Sequence, residues 1–177
     1  MRAFIAIEIP NEIKERLIQL QEEIRSRFKK EVKMVEPENL HFTLRFFPEI
    51  DENTAEKIKD TIKNIEFDAF EIKCRGLGVF PNENYIRVIW VGGDSNGKLE
   101  GIEKMLSERL AAIGFKKEKD EEFVAHLTLA RVKQKINFKD FLLKYREQDF
   151  GSFTISKDMI KLKKSQLTPK GPIYSDL

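Results

Sequence analysis

A largely apolar, β-rich stretch runs from Arg2 to Ile9, which predicts a strand. The pattern then changes. Ile13, Leu17, Leu20, Ile24 and Phe28 fall at steps of three and four, which predicts an amphipathic helix capped by Asn11 and running to about Lys29. Pro37 interrupts the chain before a strand over Leu40 to Phe47. Asp51 to Ile65 reads as a second helix, with Ile58, Ile62 and Ile65 on one face. Strands are predicted over Phe70 to Arg75 and Tyr85 to Val91. Gly76, Gly78, Pro81 and Asn82 mark the connection between them.

The second half repeats this order. Leu99 to Ile113 is an amphipathic helix ending before Gly114, a residue suited to a left-handed C-terminal position. The charged run Lys116 to Glu122 predicts a solvated loop. Phe123 to Val132 reads as a strand, Asn137 caps a helix to about Tyr145, and strands follow over Phe153 to Ser156 and Met159 to Leu167. The segments FDAFEIK and FGSFTIS follow the two predicted histidine strands at similar distances, with phenylalanine at the first and fourth positions of each. Such self-similarity points to a degenerate internal duplication. Helices interleaved with hairpin-connected strands predict an α+β fold. We expect a bilobal, pseudo-twofold architecture in which two small antiparallel sheets face a central cleft, with the helices outside. The approximate lobes are residues 1–97 and 98–177, with strand exchange between them allowed.

Composition narrows the classes of function. The 177 residues suit one compact domain, and 41% hydrophobic with 35% charged residues predicts a folded, soluble chain. A net charge of +2 with interspersed signs is not the signature of a protein that coats nucleic acid, although it leaves room for a local basic cleft. A single cysteine, Cys74, excludes an internal disulfide and fits a reducing cytoplasm. MRAFIAIEIP is too short, and too soon broken by Pro10, to be a signal peptide. No apolar run approaches the roughly 20 residues needed to span a membrane.

The chemistry sits on the two histidines, the only ones in the chain. His41-Phe42-Thr43-Leu44 and His126-Leu127-Thr128-Leu129 share the pattern His-x-Thr-Leu. Side chains two apart on a strand share a face. His41 and Thr43 therefore point one way while Phe42 and Leu44 enter a core, and the second motif behaves alike. A lone histidine on a strand is ordinarily solvated or merely hydrogen-bonded; the matched pair is what points to function. Two such strands with their polar faces opposed bring two imidazoles and two hydroxyls to one volume. That set suits a phosphodiester. One neutral imidazole can deprotonate water, one imidazolium can protonate the leaving oxygen, and the threonine hydroxyls can hold non-bridging oxygens. Two distant histidines and one cysteine do not supply a zinc site, so no metal or other cofactor is expected.

These motifs resemble the two-histidine phosphoesterase superfamily. The flanking segments VEPENLHFTLRF, GLGVFPNENYIRVIWVG, AHLTLARVK and SQLTPKGPIY narrow the resemblance to the RNA 2′,3′-cyclic phosphodiesterases, also called LigT-type 2′-5′ RNA ligases. The likeness covers essentially the whole chain. It implies the hydrolysis of a 2′,3′-cyclic phosphate to a 2′-phosphomonoester, with His41 as proton donor and His126 as proton acceptor. It also implies phosphate contacts from Thr43, Thr128 and Arg131. The implied partner is an RNA end bearing a cyclic phosphate, such as a tRNA fragment, met by a monomeric cytoplasmic enzyme. Arg131 poses a difficulty, because it stands five positions from His126 and simple alternation turns it to the opposite face. A bulge is needed to bring it back. Arg45 has the parity of His41 and offers an alternative at the cleft rim. Phe46 alternates with Leu44 and is expected in the core.

Gly92 to Lys98 imitates a phosphate-binding Gly-x-x-x-x-Gly-Lys loop, but Leu99 stands where Ser or Thr must bind magnesium and Asp94 adds negative charge. A glycine-rich turn between the halves is the better reading. Two other functions stay open at this point: end joining through a 2′-5′ linkage at the same site, and a non-catalytic RNA-binding module.

Overall fold

The structure, a computed structural model, describes residues 1–119 and 121–177. Along the chain run β1 (Arg2–Glu8), α1 (Asn11–Arg27), β2 (Val32–Met34), β3 (His41–Phe47), α2 (Glu52–Asn64), β4 (Phe70–Asn82) and β5 (Tyr85–Asp94). There follow α3 (Lys98–Ala112), β6 (His126–Val132), α4 (Lys139–Tyr145), β7 (Asp149–Ile155), β8 (Ile160–Thr168) and β9 (Gly171–Asp176). The strands pair antiparallel in the order β7-β4-β5-β6-β3-β1-β8-β9, and β2 joins β6. Two antiparallel halves, β7-β4-β5-β6 and β3-β1-β8-β9, are thus present. They meet at a single paired position, Phe42 opposite Leu127, so the two halves form one curled sheet.

One face of that sheet is packed. Ile5, Ile7, Phe42, Leu44, Leu127 and Leu129 enter a continuous core with Leu17 of α1, Ile58 of α2, Leu106 of α3 and Phe141 of α4. Each helix offers the stripe its spacing predicted: α1 buries Ile13, Leu17, Leu20 and Ile24. Asp51 caps α2 by accepting a hydrogen bond from Thr54 N at 2.7 Å. The opposite face carries His41, Thr43, His126 and Thr128, all half-buried.

Several boundaries differ from the sequence expectation, for identifiable reasons. β4 runs unbroken through Gly76 and Gly78. Gly76, at φ +80°, takes up a register shift between Arg75 and Leu77, and Gly78 makes room for the indole of Trp90, whose ring atoms lie 2.3 Å from where a Cβ would stand. β6 begins at His126 instead of Phe123. Asn11 is the first residue inside α1, after Pro10, rather than its cap. The segments FDAFEIK and FGSFTIS do not fall in opposite halves. They pair with each other, Phe70 opposite Ile155 and Ile72 opposite Phe153. The glycine-rich turn before α3 is closed by its own side chains, since Ser95 Oγ accepts from Leu99 N at 2.9 Å. The loop expected over residues 116–122 includes Asp120, which lies outside the described residues. Within its described part Lys117 pairs with Glu103 at 2.7 Å.

Candidate active site

β2 and β3 lie along the same edge of β6, separated by an excursion through the tight turn Pro37–Asn39. That excursion shifts the register and starts β3 at His41. The Phe42–Leu127 bridge then sets His41 opposite Thr128 and Thr43 opposite His126. Opposed residues stand about 5 Å apart and diagonal ones about 7 to 8 Å apart, so the two histidines are diagonal neighbours on one face of the sheet.

Both rings are held the same way. His41 Nδ1 lies 2.6 Å from Asn39 O, and His126 Nδ1 lies 2.7 Å from Val124 O. A carbonyl can only accept, so each Nδ1 carries its hydrogen and each Nε2 is left for proton transfer. In both motifs the accepting carbonyl belongs to the residue two positions upstream. The surroundings then diverge. His41 Nε2 is 2.9 Å from Thr43 Oγ1. Phe4 stacks on the His41 ring at 4.8 Å and Tyr174 meets it edge-on at 5.5 Å. Asn39 is itself buried, and its side-chain amide donates to Pro172 O at 3.2 Å, which ties the β8–β9 hairpin to the turn that orients His41. His126 sits instead against the edge of Phe80 at 4.9 Å, with Trp90 at 6.1 Å.

Charge follows the same asymmetry. Burial pushes the His41 imidazolium down to about 4, helped by the charges of Lys163 and Lys14 and opposed by the Asn39 carbonyl. Lys163 is locked by Glu8 at 2.8 Å and Asp176 at 2.7 Å. Glu8 stands opposite His41 across β1 and β3, so this network borders the site. Its two carboxylates are held below, and Lys163 above, their ordinary ranges by these contacts.

Two bulges decide which other residues face the site. Between Ile89 and Trp90 the β5–β6 register shifts, so Leu129 is the extra residue in β6. Leu129 and Ala130 are both buried in succession, and Arg131 emerges on the face of His126 and Thr128, together with Lys33 opposite it on β2. The Arg131 charge reaches the Tyr174 hydroxyl and favours its ionised form, against the stronger effect of burial. A second shift, between Ile5 and Ala6, makes Leu44 the extra residue in β3. It sends Arg45 to the core side, opposite Ile5, where only 11% of its side chain is exposed. There it donates to the carbonyls of Lys116 at 3.0 Å and Phe115 at 3.4 Å, with Glu121 at 3.9 Å. The structure therefore does not bring Arg45 to the histidines. Phe46, expected in the core, is instead 45% exposed and shares the face of His41, because the same bulge reverses its parity.

Sequence spacing missed the side chain that pins the Leu129 bulge. Gln21 lies on the apolar stripe of α1 and is 3% exposed. Its amide donates to Leu129 O and to Val35 O, both at 2.9 Å, and Leu129 O also accepts from Val35 N. A glutamine among Leu17, Leu20 and Ile24 is the signal that could have drawn attention to it. Asn39, Phe4 and Tyr174 carried no comparable signal.

A family model described as LigT like Phosphoesterase matches residues 7–90 and 93–174, each segment holding one His-x-Thr-Leu. The chain belongs to this family. It is 46% identical over 178 residues to a protein of Methanocaldococcus jannaschii named RNA 2′,3′-cyclic phosphodiesterase, an alignment covering 98% of this chain and 96% of that one. A protein of the same name from Archaeoglobus fulgidus is 39% identical, with 100% and 98% covered. A crystal structure from Thermus thermophilus superposes with a TM-score of 0.84 at 27% identity, covering 100% of this chain and 95% of that one. Membership in the LigT-like family accords with an open face built around two histidine strands. No helix among the described residues is long and apolar enough to cross a membrane.

Proposed function

We propose that this protein hydrolyses the 2′,3′-cyclic phosphate at RNA ends to a 2′-phosphomonoester, with His41 as general acid and His126 as general base and without a metal ion. The observation that carries this reading is the pair of imidazoles on adjoining strands, each with Nδ1 fixed by a carbonyl and Nε2 turned to the same face. Family membership and the names of the relatives support the substrate class.

In the proposed reaction water attacks phosphorus from the His126 side and gives a proton to His126 Nε2. The bond from phosphorus to the 3′ oxygen breaks, and that oxygen takes a proton from His41 Nε2. The hydroxyls of Thr43 and Thr128 and the guanidinium of Arg131 hold the non-bridging oxygens. Thr43 must first release the bond it makes to His41 in the free protein, which links phosphate binding to freeing of the acid. The strained ring and the ordered proton transfers supply what a metal supplies elsewhere. A 5′ hydroxyl can take the place of water at the same pair: it gives its proton to His126 and attacks phosphorus, the bond to the 3′ oxygen breaks and that oxygen takes a proton from His41, so a cyclic-phosphate end is joined through a 2′-5′ linkage, and the reverse of this step cleaves it. The natural substrates in this reading are ends of cleaved RNAs such as tRNA fragments, met in the cytoplasm by a monomer.

The test is an oligonucleotide ending in a 2′,3′-cyclic phosphate, incubated with the protein in EDTA and scored for its product. Chelator-resistant formation of a 2′-phosphate is expected. Binding without turnover, or loss of turnover in EDTA, contradicts the proposal.

A further inference from the structure

β9 is an edge strand, and Tyr174 is the side chain it turns toward the histidines. Ser165 of β8 stands opposite both Arg2 on β1 and Tyr174 on β9, so Tyr174 takes the face of Arg2 and Phe4. Its neighbours Ile173 and Ser175 are exposed, while Tyr174 itself is half-buried. The ring meets Phe4 at 4.7 Å and His41 at 5.5 Å, edge-on in both cases.

The hydroxyl at the end of that ring is not used in packing. Among the described residues it makes no hydrogen bond, and it feels the positive charges of Arg131 and Arg2 together. Those two guanidinium groups belong to opposite halves of the sheet, Arg131 to β6 and Arg2 to β1. Burial holds the phenol above its ordinary range, so the oxygen keeps its hydrogen and can donate it. A free donor set among cations, on a ring that touches an imidazole, suits an anionic oxygen.

The strand that carries the phenol is tied to the turn that carries the imidazole. The carbonyl of Asn39 fixes His41 Nδ1, and the amide of the same residue donates to Pro172 O, two residues before Tyr174. One buried asparagine therefore sets both groups. Thr43, Thr128 and Arg131 come from β3 and β6, whereas Tyr174 comes from the β8–β9 hairpin. An anion between them is held from two directions.

We propose that the Tyr174 hydroxyl binds the substrate phosphate, donating a hydrogen bond to one of its two non-bridging oxygens while Arg131 neutralises the same anion. The inference rests on the cyclic phosphodiesterase reading, with the phosphate lying between the two histidines. It makes the β8–β9 hairpin a wall of the site and gives Tyr174 a part in holding the anion rather than in moving protons.

The experiment separates the hydroxyl from the ring. Tyr174→Phe keeps the contacts with Phe4 and His41 and removes only the donor. On a nucleoside 2′,3′-cyclic phosphate it is expected to lower kcat/KM by about 10- to 100-fold, the worth of a hydrogen bond to a charged group. The two diastereomers of the corresponding cyclic phosphorothioate locate the contact, because each has sulfur, a poor hydrogen-bond acceptor, at a different non-bridging position. Tyr174→Phe should slow the diastereomer that keeps oxygen at Tyr174 by a similar factor and leave the other nearly unchanged. An unaltered kcat/KM overturns the proposal. So does equal slowing of both diastereomers, which assigns Tyr174 to packing against His41 alone. A wild-type protein that does not hydrolyse the oxygen substrate refutes the underlying activity instead, so the two failures are distinguishable.

Discussion

The two histidine motifs are alike in sequence and unlike in setting. His41 is bonded at both ring nitrogens, stacked on Phe4, edged by Tyr174 and bordered by the Glu8–Lys163–Asp176 network. Among the described residues His126 is bonded through Nδ1 alone and touches the edges of Phe80 and Trp90. The repeated His-x-Thr-Leu motif supplies two like imidazoles, and the different walls around them are what can make one an acid and the other a base. The comparison also exposes a tension. An acid must hold a proton, yet burial and two lysines press His41 toward its neutral form. A phosphate anion beside Nε2 reverses that pressure, because an opposite charge at hydrogen-bond distance favours the imidazolium. In this account the substrate itself arms the acid.

Removing either ring breaks the comparison most severely. His41→Ala and His126→Ala should each lower turnover by about 100- to 10,000-fold, with a smaller effect on binding. Steady-state kinetics with a cyclic-phosphate oligonucleotide checks this, and near-normal turnover in either variant contradicts the role assigned to it.

The pH profile sharpens it. His41 is held at about 4 in the free protein, so the protonated form needed by an acid is depleted as pH rises through 4. The alkaline limb of kcat/KM should begin there. In the complex the phosphate raises the same group, so the limb of kcat should lie at distinctly higher pH. If His41 were instead the base, loss of its proton would be required. The group would then set an acidic limb near pH 4, a result that would reverse the two roles.

A smaller effect is expected at Gln21. Gln21→Leu leaves Val35 O without this donor and loosens the Leu129 bulge, at a cost of about 1 to 3 kcal/mol in stability. Because that bulge aims Arg131, KM should rise by about tenfold with kcat less changed. Thermal denaturation and kinetics read the two effects separately, and a variant unchanged in both excludes Gln21 as a positioning residue.

How much of this was legible in the sequence follows from what period two can and cannot encode. It placed His41 with Thr43 and His126 with Thr128, because the three residues from histidine to threonine are regular strand and keep parity. Beyond Thr43 and Thr128 it failed, because a bulge inserts one residue with no local signature. The extra residues Leu44 and Leu129 are ordinary apolar strand residues, two positions after the core residues Phe42 and Leu127. The parity of Arg131 was therefore left open, and Arg45 and Phe46 were assigned each other's faces. β2, three residues long, and β9, rich in turn-forming residues at its start, are strands only because β6 and β8 offer edges for them. The unbroken run of β4 through Gly76 and Gly78 depends on Trp90, which reaches it from another strand. Local pattern carried the elements and the reactive pair, and pairing between distant segments carried the aim of everything around them.

The division of labour between the rings is tested most directly by changing the leaving group. In a cyclic substrate with sulfur in place of the 3′ bridging oxygen, the departing thiolate needs no proton, so the acid becomes dispensable and the base does not. The account predicts that His41→Ala regains most of its turnover on this substrate while His126→Ala stays impaired. Rescue of His126→Ala in place of His41→Ala, or rescue of neither, would contradict it.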